Sequence, residues 1–175
     1  MTQTFSIETV RSDFDKSTTD LLETINRFYQ HEFNAIPFEG SWTAGKVSEH
    51  LLKSESGISS LFDGNSKTSN RPVDEKMEMI RSIFLDFDKK LQSPEFILPT
   101  DKPKDKVETM LAFEKSRKKI KERMDSKDLS LLFTDFPFPG AGEFTGWEWI
   151  YFVTCHTIRH TRQMKRIYSI VNNLQ

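Results

Sequence analysis

The sequence predicts an all-α protein, an up-and-down helical bundle with long connectors. Five stretches carry apolar residues at helical spacing, and any strand-like alternation is confined to short connectors. Prolines, glycines and polar clusters separate the five stretches. The 175 residues are enough to bury a core without disulfides, so we expect residues 1–175 to form a single domain.

The first two predicted helices flank a connector that Pro37 and Gly40 interrupt. Helix one is predicted over about residues 17–33, because its leucines, isoleucine and aromatic residues fall on one face. Helix two is predicted over residues 44–62, with the Thr43 side chain as its N-cap and a Gly-Asn-Ser cluster just beyond its end.

Three further helices follow. Pro72 and Asp74 start the third, which carries apolar residues at helical spacing as far as Leu91. The fourth is predicted over about residues 105–124. The fifth is predicted over residues 146–174, where a Thr-Gly-Trp-Glu sequence matches the capping box that begins a helix.

The connector before the last helix, residues 129–144, is rich in Leu and Phe but contains prolines and glycines that argue against a helix. We expect it to fold back over one end of the bundle, because its apolar side chains need cover. It either plugs the core or acts as a lid over a site.

Composition and charge exclude several classes of function. The net charge of -1 gives no general attraction to nucleic acid. The dense charge run over residues 114–123 is of mixed sign, which favours the solvated face of a helix over a patch for an anionic ligand. The sequence contains no P-loop, serine nucleophile elbow or dinucleotide fingerprint.

No apolar run approaches the roughly 18 residues of a membrane-spanning helix, and the N-terminus lacks the pattern of a secretory signal. We therefore expect a cytoplasmic protein without membrane attachment. Cys155, the single cysteine, fits a reducing compartment. We interpret it as a packed, inert thiol that points away from its neighbour His156.

Three of the four histidines lie in apolar seams of predicted helices. His156 and His160 form an H-x-x-x-H pair, and residues four apart share one face of a helix. His50 lies among apolar residues of helix two. Because a buried imidazole must be hydrogen-bonded or bind something, the three are either polar core residues or ligands of one metal ion. His31, near the end of helix one, is left out of this set.

Metal ligation accounts for all three histidines at once. Neutral imidazole binds zinc, nickel, copper and iron, and three protein ligands leave a position open for water or substrate. His50 would then come from a helix that faces the H-x-x-x-H pair, as in the metal sites of bundle cores.

Three polar neighbours of these histidines are candidates for supporting roles. Gln163, on the same face as His160, could bind substrate, hydrogen-bond a water or hold a neighbouring side chain. Ser54 could act similarly, and Glu55 could support a ligand if helix two is suitably rotated. Ordinary polar packing is the alternative for Gln163 and Ser54.

These features resemble the DinB/YfiT-like superfamily of metal-binding four-helix bundles. The similarity lies in Trp42-Thr43 before His50-Leu51, and in the closing segment TGWEWIYFVTCHTIRHTRQMKRI. It extends over roughly residues 17–174. The resemblance implies a four-helix bundle with one additional helical segment, and a divalent metal ion held by His50, His156 and His160.

The resemblance also implies a function. Relatives include thiol S-transferases that use bacillithiol or mycothiol, and others described as metal-dependent hydrolases. We therefore expect a divalent-metal-dependent thiol S-transferase in detoxification or stress response, which takes a small-molecule substrate and a low-molecular-weight thiol. A hydrolase or a non-catalytic metal- or ligand-binding bundle are alternatives. Zinc or nickel is the expected ion, then iron or manganese, and a homodimer is the expected assembly.

Overall fold

The structure is a computed structural model that describes residues 5–173. It is mostly helical, with one small antiparallel sheet in the strand order β1-β2-β3, and the predicted mainly helical class is confirmed. The elements in chain order are α1 (Ile7–Asn26), α2 (Gln30–Phe33), α3 (Ala44–Glu55), α4 (Ile58–Leu61), β1 (Ser66–Lys67), α5 (Met77–Phe84), a 3-10 turn (Glu95–Ile97), α6 (Lys106–Ser126), β2 (Leu132–Phe138), β3 (Gly142–Thr145) and α7 (Gly146–Asn172).

The longest helices pack against one another. Helix α1 packs against α7 and α6, and α3 also packs against α7 and α6. Helices α5 and α2 also lie against α7, which therefore contacts four other helices. The up-and-down direction of the helices stays a prediction. Within residues 5–173, no helix combines the length and the apolar character that a bilayer crossing requires.

Helix α1 begins well before the predicted start near residue 17. The Ser6 side chain caps it by accepting a hydrogen bond from the Thr9 amide. Only one apolar side chain per turn is buried in this first part, Val10 and then Phe14, and the polar residues between them masked the helical pattern. The helix also ends at Asn26, so the predicted end of helix one is the separate short helix α2.

The predicted second helix is divided into α3 and α4. The Thr43 side chain caps α3 as expected, by accepting from the Lys46 amide. The helix ends at Glu55 because Gly57 adopts a φ of 92°, in the left-handed region that glycine tolerates best. Helix α4 then begins directly after this glycine.

Helix α5 is much shorter than the predicted third helix, which was expected to run from Pro72 to Leu91. It ends at Phe84, and the carbonyls of Phe84 and Asp86 accept hydrogen bonds from the Arg159 guanidinium at 3.3 and 2.8 Å. The Lys89 carbonyl accepts from the same guanidinium. Arg159 therefore stabilises a non-helical conformation of residues 84–89, because it supplies hydrogen bonds to carbonyls that no longer take part in a helix.

The connector over residues 129–144 contains no helix, as expected, but it contains two strands that the sequence analysis did not predict. Strands β2 and β3 form a hairpin in which Phe133 pairs with Phe144, and Gly140 and Gly142 supply the positive φ values of its turn. The apolar residues do cover one end of the helices, since Phe133 and Phe144 are fully buried. The Thr145 capping box then begins α7 as predicted.

Helix α7 is described as far as Asn172, followed by the turn residue Asn173. The predicted end of the last helix at Leu174 lies outside the described residues. Along its length α7 contributes to two apolar clusters. One surrounds the sheet, α5 and the first half of α7, and the other lies between the second half of α7, α3 and the later part of α1.

A layer of buried polar side chains separates the two apolar clusters. Along α7, Cys155 belongs to the first cluster and Met164 to the second, and polar residues occupy the buried positions between them. The polar side chains of this layer are His50 and Glu55 of α3, Arg117 of α6, and His156, Thr157, His160 and Thr161 of α7. The fold therefore places the predicted histidines in the middle of the molecule rather than at its surface.

Candidate metal centre

The three histidines converge on one point between α3 and α7. The Nε2 atom of His156 lies 3.2 Å from Nε2 of His50 and 3.0 Å from Nε2 of His160. Their side chains are buried, with exposed fractions of 2 % for His50, 5 % for His156 and 9 % for His160. Sequence reasoning placed them together on facing helices, and the structure does so; metal binding by them stays a prediction.

Hydrogen bonds fix the tautomers of two of the three rings. His50 Nδ1 lies 3.0 Å from the carbonyl oxygen of Ile97, which can only accept, so this nitrogen carries the proton. His160 Nδ1 likewise donates to Gln163 Oε1 at 2.8 Å. In both neutral rings, the Nε2 atom therefore presents a lone pair to the centre of the cluster.

Burial keeps the rings neutral. Desolvation lowers the pKa of His50 and lowers that of His156 well below its usual range. The pKa of His160 falls to about 3, mainly through burial and secondarily through the neighbouring His50. All three imidazoles are therefore unprotonated at neutral pH and can act as ligands.

The donor set fits a divalent metal ion better than it fits a set of mutual hydrogen bonds. His156 Nε2 can supply at most one proton, which cannot satisfy both of the lone pairs that face it. Ligands about 2.0–2.1 Å from a tetrahedral zinc lie about 3.3 Å from one another, close to the distances in this cluster. Within residues 5–173, His156 Nδ1 also has no hydrogen-bond partner.

The other sequence candidates take different places. Gln163 contacts His160 and so holds a histidine ring. Ser54 donates to the His50 carbonyl at 2.7 Å and does not contact the imidazole. His31 is exposed in α2 and stacks on Tyr29, away from the cluster.

Glu55 does not support the histidines, because its side chain turns toward α6. Its Oε1 lies 2.5 Å from Nη2 of the buried Arg117. The charge run over residues 114–123 was expected to be solvated, and Arg117, which is 2 % exposed, is the exception. Cys155 is a buried thiol whose pKa burial raises to about 12, as expected of an inert cysteine.

A wide cavity of about 1220 Å³ reaches the histidine cluster from one side. His50, His156, His160 and Gln163 are part of its wall, so a molecule in the cavity could reach the cluster. Trp42 lies beside His50, with ring centroids 5.3 Å apart. The sequence analysis missed Ile97, whose carbonyl orients the His50 ring, and Arg159, which holds the loop beside the cavity. The position of Arg159 next to His160 could have indicated it, but a backbone carbonyl such as that of Ile97 leaves no signal in the sequence.

The chain matches the model of a known protein family. The profile of the DinB superfamily matches residues 13–164, which include all three histidines. No curated protein and no solved structure matches the chain significantly. The comparisons therefore establish the family, and the reaction has to be inferred from the chemistry of the site.

Proposed function

The chain belongs to the DinB superfamily, and from this premise we propose that it is a divalent-metal-dependent enzyme, a thiol S-transferase in detoxification or stress response. The observation that carries the proposal is the convergence of three Nε2 atoms beside a wide cavity. His50, His156 and His160 would hold the ion, with zinc or nickel the expected identity. The expected homodimer and the cytoplasmic location stay predictions.

A divalent ion in this position would lower the pKa of a thiol, or of a water, that reached it, and so would supply a nucleophile at neutral pH. The protein would contribute the orientation of the ligands. Ile97 and Gln163 fix two of the three rings before any ion arrives, as partners of metal-binding histidines commonly do. The chain's own thiol, Cys155, is buried and takes no part.

The size and lining of the cavity favour transfer over hydrolysis. Its volume of about 1220 Å³ exceeds the roughly 300–1,000 Å³ of a typical single-ligand pocket, which leaves room for a thiol and a second substrate. Among the described residues that line it, Asp88 is the single carboxylate, so a general base for water is scarce. A metal-dependent hydrolase is the alternative, and a metal-binding bundle without catalysis is the third candidate.

The decisive experiment measures metal stoichiometry in protein purified without a histidine tag, followed by thiol-conjugation and hydrolysis assays. We expect one divalent ion per chain, and conjugation of a low-molecular-weight thiol to an electrophile. Replacing His50, His156 or His160 by Ala should abolish both while far-UV circular dichroism keeps its helical signal. The triple variant should be no worse than the strongest single one, because residues that act as a unit are non-additive.

His31→Ala is the matched control, since it removes the histidine that lies outside the cluster. It should keep full metal content and activity. If the three cluster variants also kept the metal, the assignment of the site would be wrong. If they lost the metal and unfolded together, the ion would be structural and the enzyme proposal would lose its support.

A further inference from the structure

The cavity beside the histidine cluster has an aromatic wall. Phe84, Phe138, Trp149 and Phe152 line its inner part and pack edge to face or at a tilt against one another. The outer part carries apolar side chains that are well exposed, and these are Phe38, Phe87, Leu91, Phe96 and Phe136. A contiguous exposed apolar surface of this kind marks a binding site for an apolar group.

The same cavity has a cationic rim. Lys89 and Lys90 approach it from the loop after α5, and Arg162 and Arg166 lie one turn apart on α7. Among the described residues that line the cavity, these four cations and Arg159 outnumber one carboxylate, that of Asp88, although the whole chain has a net charge of -1. The positive charge at the rim is a local feature that favours an anionic ligand.

The rim cations are available to a ligand. Within residues 5–173, Lys89, Lys90, Arg162 and Arg166 have no carboxylate in ion-pair distance. The Arg162 guanidinium lies over the Phe87 ring at 4.3 Å from its centroid, which joins the cationic and aromatic parts of the rim.

The rim is held in place by a different arginine. Arg159 also lines the cavity, but its guanidinium donates hydrogen bonds to the backbone carbonyls of Phe84, Asp86 and Lys89. These bonds anchor the loop that carries the two rim lysines. Trp149, in the aromatic wall, has a buried Nε1–H without a hydrogen-bond partner among the described residues.

We infer that the cavity binds an apolar anion, with its negatively charged end at the Lys89, Lys90, Arg162 and Arg166 rim and its apolar body along the aromatic wall toward the histidines. As the substrate class of the enzyme, this inference rests on the proposed function. The binding itself depends on side chains other than the three histidines, so it can be measured without metal.

Isothermal titration calorimetry with three matched molecules tests the inference: 4-phenylbutyrate, 4-phenylbutyl phosphate and the neutral 4-phenylbutanol. At low ionic strength, we expect at least one anion to bind about tenfold or more tightly than the alcohol, and added salt to reduce this preference. The stronger of the two anions identifies a carboxylate or a phosphate as the preferred end group. Equal affinity for the alcohol and both anions would overturn the inference.

The double variant Arg162→Gln/Arg166→Gln should lower the affinity for the anion about tenfold and leave that for the alcohol unchanged. Lys89→Gln/Lys90→Gln provides an independent second variant on the other side of the rim. Lys165→Gln is the matched control, because Lys165 is on the same helix but outside the cavity, where it pairs with Asp20. An anion preference that survived both double variants would contradict the inference, and so would one lost in the control.

The titrations are run on metal-free and metal-loaded protein so that the two proposals are separated. An anion preference in metal-free protein supports this inference even if no conjugation is found. A conjugating enzyme that showed no such preference would retain the proposed function and lose this inference.

Discussion

Two buried polar clusters lie side by side in the middle of the molecule. Comparing them distinguishes polar residues that stabilise the fold from polar residues that can bind a ligand. The histidine cluster joins α3 and α7 on the side of the cavity. The Glu55–Arg117–Thr157 cluster joins α3, α6 and α7 on another side. The neighbouring residues His156 and Thr157 point about 100° apart around α7, so one helix serves both clusters.

The two clusters differ in whether they contain opposite charges that compensate each other. Arg117 Nη2 lies 2.5 Å from Glu55 Oε1 and 2.7 Å from Thr157 Oγ1, so a cation meets a carboxylate and a hydroxyl. The histidine cluster contains three like groups, and the lone pairs of His50 and His160 both face His156 Nε2. Within residues 5–173, Glu55 Oε2 and Arg117 Nε and Nη1 are buried without a hydrogen-bond partner, but the opposite charges of this cluster compensate each other. A cluster of paired charges fits a role in helix packing, whereas like groups that converge beside a cavity call for a ligand.

The largest effect on stability is expected from Arg117→Met. At pH 8 this change should lower the free energy of unfolding by about 3–5 kcal/mol, because it leaves Glu55 buried without its cation. Burial already raises the pKa of Glu55 to about 7 against the opposing pull of Arg117, so the carboxyl can take up a proton. The decrease in the free energy of unfolding should therefore be smaller at pH 5.5 than at pH 8. Urea denaturation at both pH values measures this decrease.

Metal content distinguishes this variant from the histidine variants. Arg117→Met should bind metal with unchanged stoichiometry, because Arg117 makes no contact with the ligand nitrogens. Lys165→Met, which breaks the half-exposed pair with Asp20, should cost less than about 1 kcal/mol. An Arg117→Met protein that stayed fully stable at pH 8 but lost its metal would reverse the roles assigned to the two clusters.

The pH dependence of stability should have opposite signs for the two clusters. The histidines have lowered pKa values in the fold, so below about pH 6.5 the unfolded chain takes up protons that the folded chain does not, and stability falls as pH falls. Glu55 has a raised pKa, so its contribution falls as pH rises between about 4.5 and 7.

Metal-free protein in a chelator allows these contributions to be separated. Between pH 6.5 and 5.5 we expect His156 and His160 to cost about 1 kcal/mol each, or about 2 kcal/mol together, and His50, whose pKa is also lowered, to add to this cost. To measure this cost, the change in the free energy of unfolding between the two pH values is compared for wild type and the triple variant His50→Ala/His156→Ala/His160→Ala. The contribution of Glu55 is the same in both proteins and cancels in the difference. Parallel stability curves for the two proteins would show that the folded histidines titrate normally and are not desolvated.

The two clusters were not equally predictable from the sequence. The histidine cluster rests on local spacing, since His156 and His160 share a helix face wherever that helix lies. Arg117 was assigned to a solvated charge run, although it occupies the gap between Phe113 and Ile120 in the apolar stripe of α6. Helical spacing could have found it, because the residues buried on α6 are Phe113, Arg117, Ile120 and Met124.

Other features depend on contacts between distant parts of the chain and could not be derived locally. The β2–β3 hairpin was masked by its prolines and glycines, and its pairing with β1 links residues far apart in sequence. The early end of α5 depends on hydrogen bonds from Arg159. The partner of His50 is the carbonyl of Ile97, a backbone group that every residue carries.

The smallest expected effect tests how the histidine cluster is held. Gln163→Ala should weaken metal affinity about tenfold, because His160 Nδ1 loses its acceptor and the ring is free to turn. Gln163→Glu should keep or raise the affinity, since a carboxylate accepts the same bond more strongly and increases the basicity of the ring. Competition with a chromophoric chelator measures both, and Ser54→Ala, which alters only a bond to the His50 carbonyl, is the control. If Gln163→Glu lowered the metal affinity as much as Gln163→Ala, Gln163 would not act by orienting His160. The histidine cluster would then not be preorganised for a metal ion by this hydrogen bond.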